Sequence, residues 1–138
     1  MNEDDFSKFL RVNFKGWIER VEIARGMHPG YPDISALLAQ GMFNIELKVG
    51  TTKNGTLWPK EVRPSQIQWH KRLADEGGSS FFLVGVADGK SWKAYAFDGV
   101  LARFWDTVGY KIGEQAIEID TKDLFGSLSS YVSDYLEN

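Results

Sequence analysis

Residues 81–86 read Phe-Phe-Leu-Val-Gly-Val, six positions without one polar side chain. A strand with one wet face alternates polar and apolar residues, so a short unbroken run like this suits a central strand covered on both sides. The chain must then build a sheet and supply cover for both of its faces. Its 138 residues, 43% hydrophobic and 14% aromatic, are enough for that. A chain of this size buries roughly two-thirds of its unfolded surface and suits one domain spanning residues 1–138.

The remaining pattern supplies the layers. Phe6, Phe9, Leu10 and Phe14 recur at helical spacing and predict an amphipathic helix over 4–14. Residues 17–23 alternate and read as a strand, and 28–32 (His-Pro-Gly-Tyr-Pro) as a turn or loop. A second strand over 33–38 and a third over 42–49 flank a Gln40-Gly41 turn. Residues 50–63 read as a long flexible loop. Pro64 opens a helix that runs to about Glu76 and stops at Gly77-Gly78. After the apolar strand come an Asp88-Gly89 turn and a strand over 92–97. Short helices are expected at 100–105 and 121–136, the latter capped by Asp120 with Leu124, Leu128, Tyr131 and Tyr135 along one stripe. That stripe suits core or a dimer surface. The class is α/β (α+β): a mixed sheet flanked by helices, in the order αβββαββ. The core covers about 3–98 and a helical C-terminal extension about 99–138.

Composition excludes several chemistries. There is no cysteine, hence no disulfide, no thiolate metal site and no thiol nucleophile. The start, Met1-Asn2-Glu3-Asp4-Asp5, is acidic where a signal peptide needs basic residues, and no apolar stretch approaches the ~20 residues of a membrane helix. A cytoplasmic protein with no membrane partner is expected. The net charge of −3 argues weakly against nucleic acid, but its distribution argues the other way. Lys48, Lys53, Lys60, Arg63, Lys71 and Arg72 face Glu61 alone, so the segment 48–72 carries +5.

Beside that basic segment lies a concentrated set of acids. Gly30-Tyr31-Pro32-Asp33 is followed, thirteen residues after Asp33, by Glu46-Leu47-Lys48. Residues two apart on a strand share a face, so Glu46 and Lys48 point together, opposite Ile45, Leu47 and Val49. If 33–38 and 42–49 form a hairpin, Asp33 lies beside Glu46. Two adjacent carboxylates repel unless a cation joins them, and a hard ion such as Mg²⁺ or Mn²⁺ takes such oxygens together with a backbone carbonyl, here that of Leu47. Lys48 would then stand where an attacked phosphate sits. Taken singly, each element has a plain structural explanation: an Asp after Pro is a turn residue, and Glu-x-Lys on a strand is a solvated face.

In combination the residues resemble the PD-(D/E)xK nuclease superfamily. They are most similar to its virus-type replication-repair branch and to small phage-encoded relatives. The resemblance covers roughly residues 3–86. It rests on Gly30-x-Pro32-Asp33, on Ile45-Glu46-Leu47-Lys48, and on Pro64-Ser65-Gln66-Ile67-Gln68-Trp69-His70. It implies a restriction-endonuclease-like core and metal-dependent hydrolysis of DNA phosphodiester bonds in phage or mobile-element replication, repair or recombination. It also implies a catalytic part for Gln66, for which a plain surface helix position is the alternative. A further metal ligand is expected from Glu3 or Glu22. The alternatives are a solvated terminus for Glu3 and a salt bridge to Arg20 for Glu22.

DNA contacts are expected from Lys53, Lys60, Arg63, His70, Lys71 and Arg72, with Trp58 either stacking on a base or anchoring the core. His70 has an alternative place, packed against Trp69 and the sheet. His28 is either a phosphate contact or an exposed loop residue. Recognition of branched or otherwise structured DNA fits the absence of any visible sequence-reading module, and a junction resolvase would work as a homodimer. A catalytically inactive DNA-binding or assembly protein on the same fold is the alternative function, but a pure binder has no need of an acidic pocket facing phosphate.

Overall fold

A computed structural model describes residues 2–20, 33–60, 62–77, 79–101 and 109–136. It is mixed α and β, with one mixed sheet between helices. Glu22, His28 and the helix expected at 100–105 beyond Leu101 lie outside the described residues.

Helix α1 (Glu3–Asn13) starts where Asn2 accepts the Asp5 N–H at 3.0 Å and Asp5 accepts that of Asn2 at 2.9 Å. This reciprocal capping box satisfies N–H groups that the first turn cannot. Strands β1 (Ile18–Arg20), β2 (Ile34–Leu38) and β3 (Gly41–Lys53) form an antiparallel meander, with Ile18 opposite Ala36 and Ile34 opposite Ile45. β3 then turns back into β4 (Thr56–Pro59), and α2 (Pro64–Asp75) crosses over to β5 (Ser80–Asp88), which runs parallel to β3. β6 (Ser91–Asp98) returns beside β5, and β8 (Ile117–Ile119) pairs with β6, giving the order β1-β2-β3-β5-β6-β8. The short β7 (Tyr110–Lys111) pairs with β4.

Two stretches differ from the sequence expectation. Residues 50–63 are not a long loop. β3 continues to Lys53, turns through Asn54 (φ 52°) and Gly55 (φ 76°), and returns as β4 with Lys53 opposite Thr56. Two consecutive left-handed residues make the tight turn whose twist matches a hairpin. Residues 99–138 are not wholly helical either. A 3₁₀ turn (Gly99–Leu101), β7 and β8 precede α3 (Leu124–Tyr131), which passes into a π-helical turn (Val132–Leu136). The cap of α3 is Asp123, which accepts the Gly126 N–H at 3.1 Å, rather than Asp120.

Apolar clusters cover the two faces of the sheet. Phe6, Leu10 and Phe14 of α1 and Leu124, Leu128 and Tyr131 of α3 meet Ile45, Leu47, Phe81 and Leu83 on one side. On the other, Phe82, Val84, Tyr95 and Phe97 meet Leu57, Val62 and Tyr110, with Ile67 of α2 packed against them. Phe97 stacks on Phe82 (centroids 4.9 Å apart) and on Tyr110 (4.1 Å). Residues 81–84 are buried throughout, as the unbroken apolar run requires.

Candidate active site

Strand β3 changes neighbour midway. As far as Ile45 its outer edge pairs with β2. At Leu47 the backbone N–H donates to the Asp33 side chain, Oδ2, at 3.0 Å. At Val49 the carbonyl accepts the N–H of Lys60, just beyond β4, at 2.8 Å. The N–H and C=O of one strand residue point to the same edge, so the Leu47 carbonyl faces this break between β2 and β4.

Charged side chains gather there. Glu46 is 1% exposed and Lys48 3%, although both are ionisable and sit two apart on one strand. Neither oxygen of Glu46 makes a hydrogen bond of good geometry among the described residues; the polar group it approaches is the Asp33 carboxyl. Burial, and then the Asp33 carboxyl beside it, push the Glu46 carboxyl up to about 10; Lys48 opposes this and Glu3 adds to it. The Lys48 ammonium lies 3.6 Å from Glu3 Oε1, at the first turn of α1. Burial raises the Glu3 carboxyl above its ordinary value, against the pull of Lys48, with Asp33 raising it and Arg63 lowering it. Three carboxyls and the Lys48 ammonium thus converge from three places: the start of α1, the residue before β2 and mid-β3.

The cleft at this point is lined by Glu3, Asp4, Ser7, Arg20, Asp33 and Leu47. Ser7 and Arg20 were not singled out as site residues. Ser7 is one helical turn from Glu3 and so shares its face, a spacing that could have found it. Arg20 enters through the pairing of β1 with β2, opposite Ile34, which no local pattern reveals.

The other expected residues are spread more widely. Lys53 and Lys60 are exposed at the tip and the end of the β3–β4 hairpin, and Arg63 is exposed at the cap of α2. Lys71 and Arg72 are exposed later on α2, where Arg72 lies 3.9 Å from Glu76. Gln66 is buried, and its side-chain oxygen accepts the Arg63 N–H at 2.9 Å, which caps α2. No hydrogen bond or ion pair among the described residues joins it to the carboxyls. His70 is not at the surface. It is 1% exposed, with Nδ1 hydrogen-bonded to Ser80 Oγ and its ring against Trp69 and Phe82. Burial lowers it to about 4. A neutral, enclosed imidazole cannot make the phosphate contact expected of it.

A hard cation fits the two oxygens of Glu46, neither of which has a well-formed hydrogen bond among the described residues. The donors would be Glu46, Asp33 and the Leu47 carbonyl, which are oxygen ligands suited to Mg²⁺ or Mn²⁺. Among the described residues no three His, Asp or Glu side chains form a metal-binding group on their own, so the carbonyl and solvent would have to complete the set. Among the same residues no helix is long and apolar enough to cross a membrane. The chain matches no known protein-family model, and no curated protein sequence matches it.

Proposed function

We propose that this protein is a divalent-metal-dependent nuclease with a restriction-endonuclease-like core, related to the PD-(D/E)xK superfamily, hydrolysing phosphodiester bonds of DNA. One observation carries the reading: the Glu46 carboxyl is buried beside Asp33 without a hydrogen bond of good geometry, next to a buried lysine. A buried carboxyl is costly when charged and, when protonated, still leaves polar atoms unpaired. A core position under selection for stability alone would hold an apolar residue there.

A bound cation would neutralise the pair and favour hydroxide over water as the attacking group. The chain's own groups do the rest. Asp33 is held in place by the Leu47 N–H. Lys48, anchored near Glu3, presents a fixed positive charge to the phosphate, where negative charge grows during attack. Arg63 at the cap of α2, with Lys60 and Lys53 along the hairpin, would supply contacts to neighbouring phosphates from exposed positions. In this reading Glu3 tunes the site through Lys48.

The test is cleavage of labelled single-stranded, duplex, nicked, flapped and four-way-junction DNA with Mg²⁺ or Mn²⁺. Metal-dependent cutting is expected, reduced at least about 10²-fold by Lys48→Ala, the scale of losing one preorganised charge contact. Asp33→Asn should abolish it. A folded wild type that binds these DNAs and cuts none of them would replace this reading with an assembly protein.

A further inference from the structure

A groove of about 390 Å³ lies farther along β3 than the carboxyl cleft, lined by Val49, Gly50, Trp58, Lys60, Gly85 and Trp92 among others. The volume is in the range of ligand-binding pockets. On β3, Val49 of the groove stands two residues, about 7 Å, beyond Leu47 of the cleft and on the same face; Glu46 and Lys48 project from the opposite face, and the Lys48 ammonium comes within 3.6 Å of Glu3, which lines the cleft. The groove's floor is the pair β3–β5, where Val49 lies opposite Gly85. Its walls are β4 on one side, with Trp58 and Lys60, and β6 on the other, with Trp92. Trp58 is 42% exposed, on the face of β4 opposite the fully buried Leu57, with one edge of its ring close to Gly109. Gly50 permits the wall to stand so close: a Cβ there would lie 2.5 Å from the Trp58 carbonyl oxygen.

We propose that this groove takes an unpaired nucleobase of the DNA strand whose phosphate lies against the carboxyls, so that the substrate is single-stranded at the point of cleavage. The proposal rests on the nuclease reading for where that phosphate sits. An exposed indole offers a flat face on which any base stacks, and the ammonium of Lys60 beside it meets the backbone. Strands are about 4.8 Å apart, so walls on β4 and β6 stand only about three spacings from each other. Such a trough admits one nucleic-acid strand with its base turned in and excludes a double helix. A base stacked and paired in duplex cannot present its face to Trp58 without first leaving the helix.

The experiment is fluorescence anisotropy of the full chain with a labelled thymidine oligonucleotide and with a blunt duplex of equal length, in EDTA so that nothing is cut. The wild type should bind the single strand roughly tenfold or more tighter than the duplex. Trp58→Ala should weaken single-strand binding roughly tenfold and leave duplex binding unchanged, while Trp58→Phe keeps most of the affinity, which separates stacking from a folding defect. Unchanged single-strand binding in Trp58→Ala overturns the proposal, as does an equal loss on both DNAs. The companion cleavage assay separates the two readings. Single-strand binding that depends on Trp58, with no cutting by the wild type, removes the nuclease and keeps the base site. Cutting abolished by Asp33→Asn, with binding indifferent to Trp58, removes the base site alone.

Discussion

Glu46 and His70 are both buried ionisable groups, and burial pushes each toward its neutral form, in opposite directions on the pH scale. The folded Glu46 carboxyl titrates near 10 rather than 4.5, so its contribution to stability is complete below about 4.5 and is lost as pH rises toward 10. Glu46→Gln keeps the shape and removes the titration. In EDTA, thermal unfolding should show the variant gaining on the wild type as pH rises from 6 to 9, by up to roughly 1.4 kcal/mol per unit. On the nuclease reading proposed above, metal-dependent DNA cleavage should be lost in this variant. His70 behaves the other way. Its folded value of about 4 lies below the ordinary 6.5, so stability is fully present above about 6.5 and falls as pH drops toward 4. Denaturant unfolding at pH 4.5 and 7 should show that acid loss in the wild type and a flatter profile in His70→Leu. At this scale the sequence was informative where strand alternation decides: Glu46 and Lys48 do share a face, paired with Phe82 and Val84. His70 was harder, because nothing local distinguishes a helix position facing solvent from one facing Phe82 and Ser80.

The elements were legible in proportion to how local their causes are. α1, β2, most of β3, α2, β5 and β6 follow from periodicity, caps and turns within a few residues. The β3–β4 hairpin was missed although Asn54-Gly55 is the dipeptide that a two-residue turn prefers, because the polar Thr51, Thr52 and Lys53 conceal the strand before it. β4 is held by partners distant in sequence, Tyr110 opposite Leu57, and so is β8, with Ile119 opposite Ala94. Neither has a long apolar run to announce it. The hairpin carries Trp58 and Lys60, so its turn matters to the proposed base site. Gly55, at φ 76°, has open space where a Cβ would go, so Gly55→Val meets backbone strain rather than a clash. A β-branched residue in that conformation should cost about 1–2 kcal/mol, read as a lower denaturant midpoint.

At the scale of the whole molecule, the site depends on how closely α1 lies on the sheet. Gly85 of β5 is where they meet: a Cβ there would come within 2.5, 2.6 and 2.8 Å of the Phe6 ring carbons. Phe6 is buried and three residues after Glu3, whose carboxyl lies beside Lys48. Gly85→Ala must therefore lift the start of α1 or turn Phe6 out of its place against Trp92. The expected cost is about 1–3 kcal/mol of stability. On the nuclease reading, cleavage should fall further than that loss explains, measured well below the unfolding midpoint, because Glu3 moves with the helix. The exchange of strand partners along β3 has a consequence of another kind. The Leu47 amide is protected by a carboxylate side chain and not by a neighbouring strand. Its proton is thus a native reporter in the middle of the protein: its exchange with solvent and its chemical shift follow the orientation of Asp33, and a cation that draws on that carboxylate is visible from the backbone without any substrate.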